Sequence, residues 1–282
     1  MPGDTVTVGN VTVTAVKDLP GMRGDPKYMY PEVTREQLDA HKEWFNERGL
    51  LDITVGSLLV RSAGRTVLID PGIGRQERPP FRTGGANLLG NLEAHGVRPE
   101  DVDLVVITHL HRDHVGWNTL KQGDRWVPTF PRARYLIQQK EWDYFTDPKR
   151  GEPLEYMAEN VLPLAEAGVV EFVDHEKSIT PDLSYFPTPG HTPDHCGILV
   201  QSQGERALIT GDVTHHPVQM LETDWDHHGD FDMGQAARTR RMVAKKLERE
   251  GILALGAHWP FPCMGRVVRL NDRRVFQAAE LG

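Results

Sequence analysis

Seven side chains of metal-binding type are spread along this sequence: His109, His111, Asp113, His114, His191, Asp212 and His258. Four of them crowd into Thr108-His109-Leu110-His111-Arg112-Asp113-His114, directly after the apolar run Leu104-Val105-Val106-Ile107. Imidazole and carboxylate are the donors a hydrolytic zinc ion takes, and seven suffice for two ions with a position left open on each. His109 and His111 are two apart, so in extended backbone they face the same side. Asp113 and His114 follow where the chain turns toward a helix, and neighbours in a turn diverge. One short loop can therefore hand two imidazoles to one ion, and a carboxylate and an imidazole to another. A polar turn is also rich in His and Asp. Three histidines and an aspartate within six positions, behind a buried-type strand, point instead to metal.

The later donors stand at the ends of further apolar segments. His191 lies in Thr188-Pro189-Gly190-His191-Thr192, after the strand-like Leu183–Phe186. Asp212 follows Ala207-Leu208-Ile209-Thr210-Gly211, and His258 follows Ile252-Leu253-Ala254-Leu255-Gly256-Ala257. Singly, these residues read as a solvated loop histidine, a helix N-cap and a satisfied core histidine. Their recurrence at strand ends, where function gathers in α/β architectures, is what marks them out.

The ordered run His109-x-His111-x-Asp113-His114 … His191 … Asp212 … His258 resembles the metallo-β-lactamase superfamily, as does Asp70 in Leu68-Ile69-Asp70-Pro71-Gly72. The resemblance spans about Asp52 to Val268. It implies that His109, His111 and His191 hold one ion, that Asp113, His114 and His258 hold the second, and that Asp212 bridges both. Asp70 would orient a ligand without touching metal. It also implies an αββα sandwich of two mixed β-sheets with helices on the outer faces; periodicity alone gives only α/β or α+β.

The donors run from His109 to His258, so one site needs nearly the whole 282-residue chain, and a single hydrolase domain over residues 1–282 is expected. Residues 1–50, as hairpin, loop and helix, are expected to cover the site. An apolar content of 39% with 26% charged residues is ordinary for a globular protein. The net charge of −8 comes without a basic run to track a phosphate backbone, which argues against nucleic acid. Two cysteines, Cys196 and Cys263, make no disulfide framework, and Cys196 reads as a buried filler. Met1-Pro2-Gly3-Asp4-Thr5-Val6 lacks the basic start and apolar core of a signal peptide, and no apolar run approaches a membrane span. A cytoplasmic protein without nucleic-acid or membrane partners is the expectation.

Thr5–Val8 and Val11–Val16 read as a hairpin about Gly9-Asn10, Pro20–Pro31 as a loop, and Thr34 as the cap of a helix to about Asn46. Strands are expected at Ile53–Arg61, Thr66–Asp70, Val102–Ile107, Ala133–Gln138 and Val169–Val173, with a hairpin of Cys196–Gln201 and Arg206–Thr210. Helices are expected near Asn87–His95, Lys140–Tyr144, Leu154–Glu166 and Gln235–Arg249. The last has Ala236, Met242, Val243 and Leu247 as apolar positions and a solvated basic face. Glu222–Asp232, with His227 and His228, reads as an exposed acidic loop.

Two bound zinc ions per chain, with manganese, iron or cobalt as alternatives, would lower the pKa of a shared water from about 15.7 to about 7. The bridging hydroxide would then attack a carbonyl or phosphoryl centre, with Asp113 or Asp212 moving the proton. No Gly-x-Ser-x-Gly elbow offers another nucleophile. Three positions past Asp212 stands His215, near where the acyl-homoserine-lactone lactonases of the superfamily usually have a tyrosine. A histidine there resembles the branch containing methyl parathion hydrolase, and His215 is expected to donate to the developing oxyanion. Candidate pocket walls are Met22, Tyr28, Met29 and Tyr30, then Trp117, Trp259 and Phe261. The expected substrate is a small lactone or ester such as an acyl-homoserine lactone, with side activity on organophosphate triesters and a homodimeric assembly implied by the resemblance. A glyoxalase II-like thioesterase lacks its basic C-terminal region here, and a β-lactamase would depart from the Asp113 pattern. A non-catalytic metal-binding scaffold predicts replaced donors, yet every position is filled.

Overall fold

The computed structural model describes residues 4–75 and 83–279. The first half of the chain supplies β1 (Thr5–Val8), β2 (Val11–Gly24), β3 (Leu51–Ser62), β4 (Arg65–Ile69) and β5 (Leu104–Val106). A hairpin of β6 (Thr119–Gln122) and β7 (Arg125–Pro128) stands apart, and β8 (Arg134–Gln138) and β9 (Val170–Val173) complete the first sheet. The second sheet takes β10 (Ser178–Thr180), β11 (Leu183–Pro187), β12 (Cys196–Ser202) and β13 (Glu205–Ile209). It ends with β14 (Leu253–Leu255), β15 (Met264–Leu270) and β16 (Arg273–Ala278). The spatial orders are β1-β2-β3-β4-β5-β8-β9 and β10 through β16 in sequence. Both sheets are mixed: β4, β5, β8 and β9 run parallel in the first, and β13 and β14 in the second.

Alternation along single strands builds the layers. Leu104 and Val106 of β5 join Ile198, Ile209 and Leu255 in the core between the sheets, whereas Val105 joins Leu88, Leu92, Met157 and Leu164 of the helices outside. In β13, Ala207 and Ile209 face the other sheet, and Leu208 packs with Val243, Ala244 and Leu247 of the helix Met233–Glu250. The layers are thus helix, sheet, sheet, helix. Each fully buried aliphatic side chain contributes about 1.5–3 kcal/mol, which offsets the cost of the polar residues held at one end of the sandwich. That end is where the strands' carboxyl termini meet. Asp70 follows β4, the His109 loop follows β5, His191 follows β11, Asp212 follows β13 and His258 follows β14. In the parallel registers Ile69↔Val106 and Ile209↔Leu255 these loops leave side by side.

Several elements differ from expectation. The segment read as a loop from Pro20 continues β2, which pairs with β3 as far as Gly24↔Leu51. A register shift between Leu19 and Met22 lets the strand pass Pro20-Gly21 as a bulge. A helical turn, Pro26–Met29, follows, with the Asp25 side chain accepting from Lys27 N. The Thr34–Gln37 capping box forms, but its helix covers only Arg35–Asp39, with a 3-10 turn at Lys42–Trp44. The helix expected at Leu154–Glu166 breaks into Glu155–Asn160 and Leu162–Glu166. Pro163 has no N–H for the Glu159 carbonyl, which accepts from the Thr119 hydroxyl instead. On the helix Met233–Glu250, Met242 is exposed, and Arg240 of the supposedly solvated basic face is buried.

Candidate metal centre

Asp212 stands at the middle of the cluster, and its two oxygens face different sets of imidazoles. Oδ2 lies 3.7 Å from His109 Nε2, 3.3 Å from His191 Nε2 and 3.3 Å from His215 Nε2. Oδ1 lies 3.3 Å from both His114 Nε2 and His258 Nε2. Asp113 Oδ2 approaches His258 Nε2 at 3.4 Å, and His111 Nδ1 approaches His191 Nε2 at 2.9 Å. Two donor groups, His109/His111/His191 and Asp113/His114/His258, each bring their atoms within 4.8 Å of one another, and so do His109/His114/Asp212 and His191/His215/His227. A tetrahedral ion with arms of about 2.0–2.1 Å needs donors about 3.3 Å apart, so these separations fit a cation in each group. His109 Nε2 is buried without a hydrogen-bond partner, as an unused donor aimed into such a site must be.

The far side of each ring explains why Nε2 points inward. His114 Nδ1 donates to Asp70 Oδ2 at 3.0 Å, His191 Nδ1 to Asp230 Oδ1 at 3.0 Å, and His258 Nδ1 to Thr54 O at 2.9 Å. His109 Nδ1 donates to Thr108 Oγ1 at 3.0 Å, while that hydroxyl gives its own proton to Asp70 Oδ2 at 2.6 Å. With Nδ1–H engaged, each imidazole presents the Nε2 lone pair, the tautomer that metal binding needs. Asp70 lies behind His114, its Oδ2 at 3.0 Å from Nδ1. It also accepts Thr108 N, and so ties β4 to the donor loop.

Burial keeps His109 well below the usual imidazole pKa and His111 down at about 3, with neighbouring histidines adding to the effect. Burial opposes ionisation of Asp212 too, but His114, His258 and His215 outweigh it and hold the carboxylate well below its usual range. Against their own burial, His114 and His258 are pushed up, His258 to about 9, by Asp212 and Asp113. Ionised carboxylates at this depth demand positive charge, which protons on these two rings or a bound cation would supply. A metal would displace those protons.

A model of the metallo-beta-lactamase superfamily matches residues 54–256. The chain belongs to this superfamily. Among relatives in the superfamily, an N-acyl homoserine lactonase of Bacillus sp is 25% identical over 169 residues, covering 55% of this chain and 61% of the lactonase. The chain thus spans less than two thirds of that protein's length. The probable metallo-hydrolase YybB of Bacillus subtilis (strain 168) is 25% identical over 181 residues, 62% of this chain and 71% of that protein. Solved structures share the fold, two among them as follows. The hydrolase AbOPH aligns with a TM-score of 0.86 at 24% identity, over 100% of this chain and 98% of its own. AidC, a dizinc quorum-quenching lactonase with a bound N-hexanoyl-homoserine product, aligns with a TM-score of 0.82 at 22% identity, over 100% and 99%.

Residues outside the donor cluster hold the loops that carry it. Glu141, fully buried, accepts Leu110 N at 3.1 Å with Oε1 and Asp194 N at 3.2 Å with Oε2, joining the two loops that carry His109–His114 and His191. His195 Nε2 accepts Asp212 N at 3.0 Å while Nδ1 contacts Thr188 Oγ1 and the Thr188 carbonyl, and burial keeps this ring neutral with a pKa near about 3. A Cβ on Gly211 would lie 2.6 Å from His195 Nε2. Its φ of +52° also favours glycine, which explains the Gly before Asp212. The Thr192-Pro193-Asp194-His195 run was the sequence signal for these partners.

The loop Glu222–Asp232 is not an exposed acidic segment. His227 is buried and stacks on His215 with ring centroids 3.5 Å apart, and Asp230 is buried against His191. His215, too, is buried rather than facing solvent.

A cleft of about 320 Å³ opens onto His111 and His191, with Tyr144, Phe145, Leu154 and Phe231 among its walls. None of the seven pocket residues anticipated from sequence lines it. Trp117 is buried and donates Nε1–H to Asp18 Oδ1 at 2.8 Å. Trp259 lies in the core under the second sheet and donates to Thr214 Oγ1. Phe261 packs on the inter-sheet core beneath the Lys17 ammonium, and Met22 on the outer cluster of the first sheet. Met29 joins Tyr30, Leu38, Leu51, Val218 and Trp225 in a separate cluster, and Tyr28 is exposed beside His228. Apolar residues after a donor proved to be scaffold. The cleft walls come from the segments around Tyr144–Leu154 and Phe231.

Proposed function

We propose that this chain is a metal-dependent hydrolase of small uncharged esters, with lactones such as acyl-homoserine lactones as its first substrates and phosphotriesters as a side activity. The observation that carries the proposal is the division of Asp212, with Oδ2 toward His109 and His191 and Oδ1 toward His114 and His258. That arrangement suits a carboxylate shared by two cations, zinc by donor type. Two bound divalent ions supply an activated water and a Lewis acid for the substrate oxygen. The lactonase and metallo-hydrolase relatives, and the dizinc lactonase that shares the fold, favour the same chemistry. No helix among the described residues is long and apolar enough to cross a membrane.

The remaining work falls to named residues. Tyr144, Phe145, Leu154 and Phe231 receive the apolar part of the ester, beside His111 and His191. Asp113, the more solvent-open carboxylate with its side chain 34% exposed, is positioned to pass a proton to or from solvent. The proposed role of His215 changes from the one expected. Its Nε2 faces the ionised Asp212 Oδ2 at 3.3 Å and so carries the proton, while Nδ1 is buried without a hydrogen-bond partner. Neutral His215 therefore serves to hold and orient the Asp212 carboxylate through its Nε2–H.

The test is metal analysis with a substrate panel of lactones of graded acyl length, a phosphotriester, a thioester and a β-lactam. About two ions per chain and lactone turnover abolished by chelator are expected. Two ions with no turnover of any ester would refute the proposal.

A further inference from the structure

We propose that Asp230, anchored by Arg240, positions His191 as a metal donor, so that the loop Glu222–Asp232 belongs to the metal centre. The inference rests on the two-cation assignment above. Asp230 Oδ1 accepts from His191 Nδ1 at 3.0 Å, and Oδ2 accepts from Arg240 Nη1 at 2.8 Å. The side chains of Arg240 and Asp230 are 1% and 0% exposed. The same guanidinium reaches Asp226 Oδ1 at 2.6 Å through Nη2 and the Thr223 carbonyl at 3.0 Å through Nε. One arginine thus fixes three points of the loop.

A buried ion pair is commonly no more stabilising than apolar residues of the same volume, so its presence here calls for a role besides packing. The geometry supplies one. An ionised acceptor at Nδ1 locks the tautomer, aims Nε2 and raises its basicity, as outer carboxylates do for metal-bound imidazoles. Backbone contacts hold the same histidine. Phe231 N donates to His191 O at 3.1 Å and Asp232 N to Gly190 O at 3.0 Å, while Thr239 Oγ1 donates to Pro189 O at 2.6 Å. A Cβ on Gly190 would lie 2.4 Å from Ala236 N, so the helix Met233–Glu250 seats directly on the turn that carries His191. Ring and backbone of this donor are both set from the loop and the helix that follows it.

The test follows metal release from the full chain loaded with cobalt(II), by titration with a competing chelator and by the visible cobalt spectrum. Asp230→Asn should weaken the ion held by His109, His111 and His191 about 10–100-fold, leaving the other ion at parental affinity. Asp226→Asn removes a partner of the same arginine that does not touch His191, and should leave both ions unchanged. Arg240→Lys, which keeps the charge but loses the fork, should weaken the same ion by a smaller factor, and serves if Asp230→Asn does not fold. Parental release of both ions from Asp230→Asn, with only the melting temperature lowered, would overturn the proposal. So would equal weakening in Asp226→Asn, which would mark a purely structural loop. A parent that binds fewer than two ions would instead sink the two-cation assignment, an outcome visible before any variant is made.

Discussion

Replacing Glu141 by Gln tests whether one buried carboxylate clasps the two donor loops. Each oxygen accepts one backbone N–H, from Leu110 at 3.1 Å and from Asp194 at 3.2 Å. A glutamine keeps one acceptor and turns an amide N–H against the other donor, leaving that buried N–H unpaired at a cost of about 1–3 kcal/mol. Charge works the other way. Burial pushes the Glu141 pKa from 4.5 up to about 7, against the hydrogen bonds that lower it. The folded chain therefore holds this proton to higher pH than the unfolded chain, and across that window stability falls as pH rises. At about 1.4 kcal/mol per pKa unit, the loss amounts to about 2.5 kcal/mol between about pH 5 and about pH 8. Gln carries no such dependence. Urea unfolding of chelator-treated wild type and Glu141→Gln at both pH values is the assay. The variant should be clearly less stable at the lower pH and nearly equal at the higher. A stability difference that does not change with pH would refute the reasoning, because the carboxylate would then not be titrating in its buried position.

Two further outcomes are expected. Trp117→Phe removes the indole N–H that Asp18 Oδ1 accepts, so it should lower unfolding stability by about 1–3 kcal/mol while leaving KM for lactones unchanged; a raised KM with unchanged stability would return Trp117 to the substrate site. Tyr144→Ala with Phe231→Ala strips two walls of the cleft and should raise KM for long-chain lactones about tenfold, or about 1.4 kcal/mol, with little change for short ones. An equal change for every acyl length would place the chain elsewhere.

What could be read from the sequence was governed by range. Val105 and Leu208 alternate with inward neighbours, and the period-2 pattern with turn residues located most of the strands about the site. Short spacing and strand ends pointed to the donors. Their outer partners were illegible singly: Glu141 lies on a helix surface in sequence, and Asp230 in an acidic run, and only the fold brings each within 3.2 Å of its partner. Arg240 looked like one more cation on a basic helix, because nothing local reveals that Asp226 and Asp230 fold back over it. The C-terminal hairpin β15–β16 did carry a local signal. Asn271 and Asp272 both take positive φ, the demand of a tight two-residue turn. The aromatic residues beside donors misled because proximity in sequence says nothing of which way a ring faces; Trp117 and Trp259 turn into the cores.

His114 and His258 meet with their ring nitrogens 3.3 Å apart although 144 positions separate them, one following the first sheet's strands and the other the second's. Ions gripped by both would act as rivets between the two halves of the sandwich. An unfolded chain could offer at most the local quartet from His109 to His114, so affinity and architecture would rise together. Depletion of the cation would then register first as a loosening of the whole body to heat or protease, with the loss of turnover as its consequence.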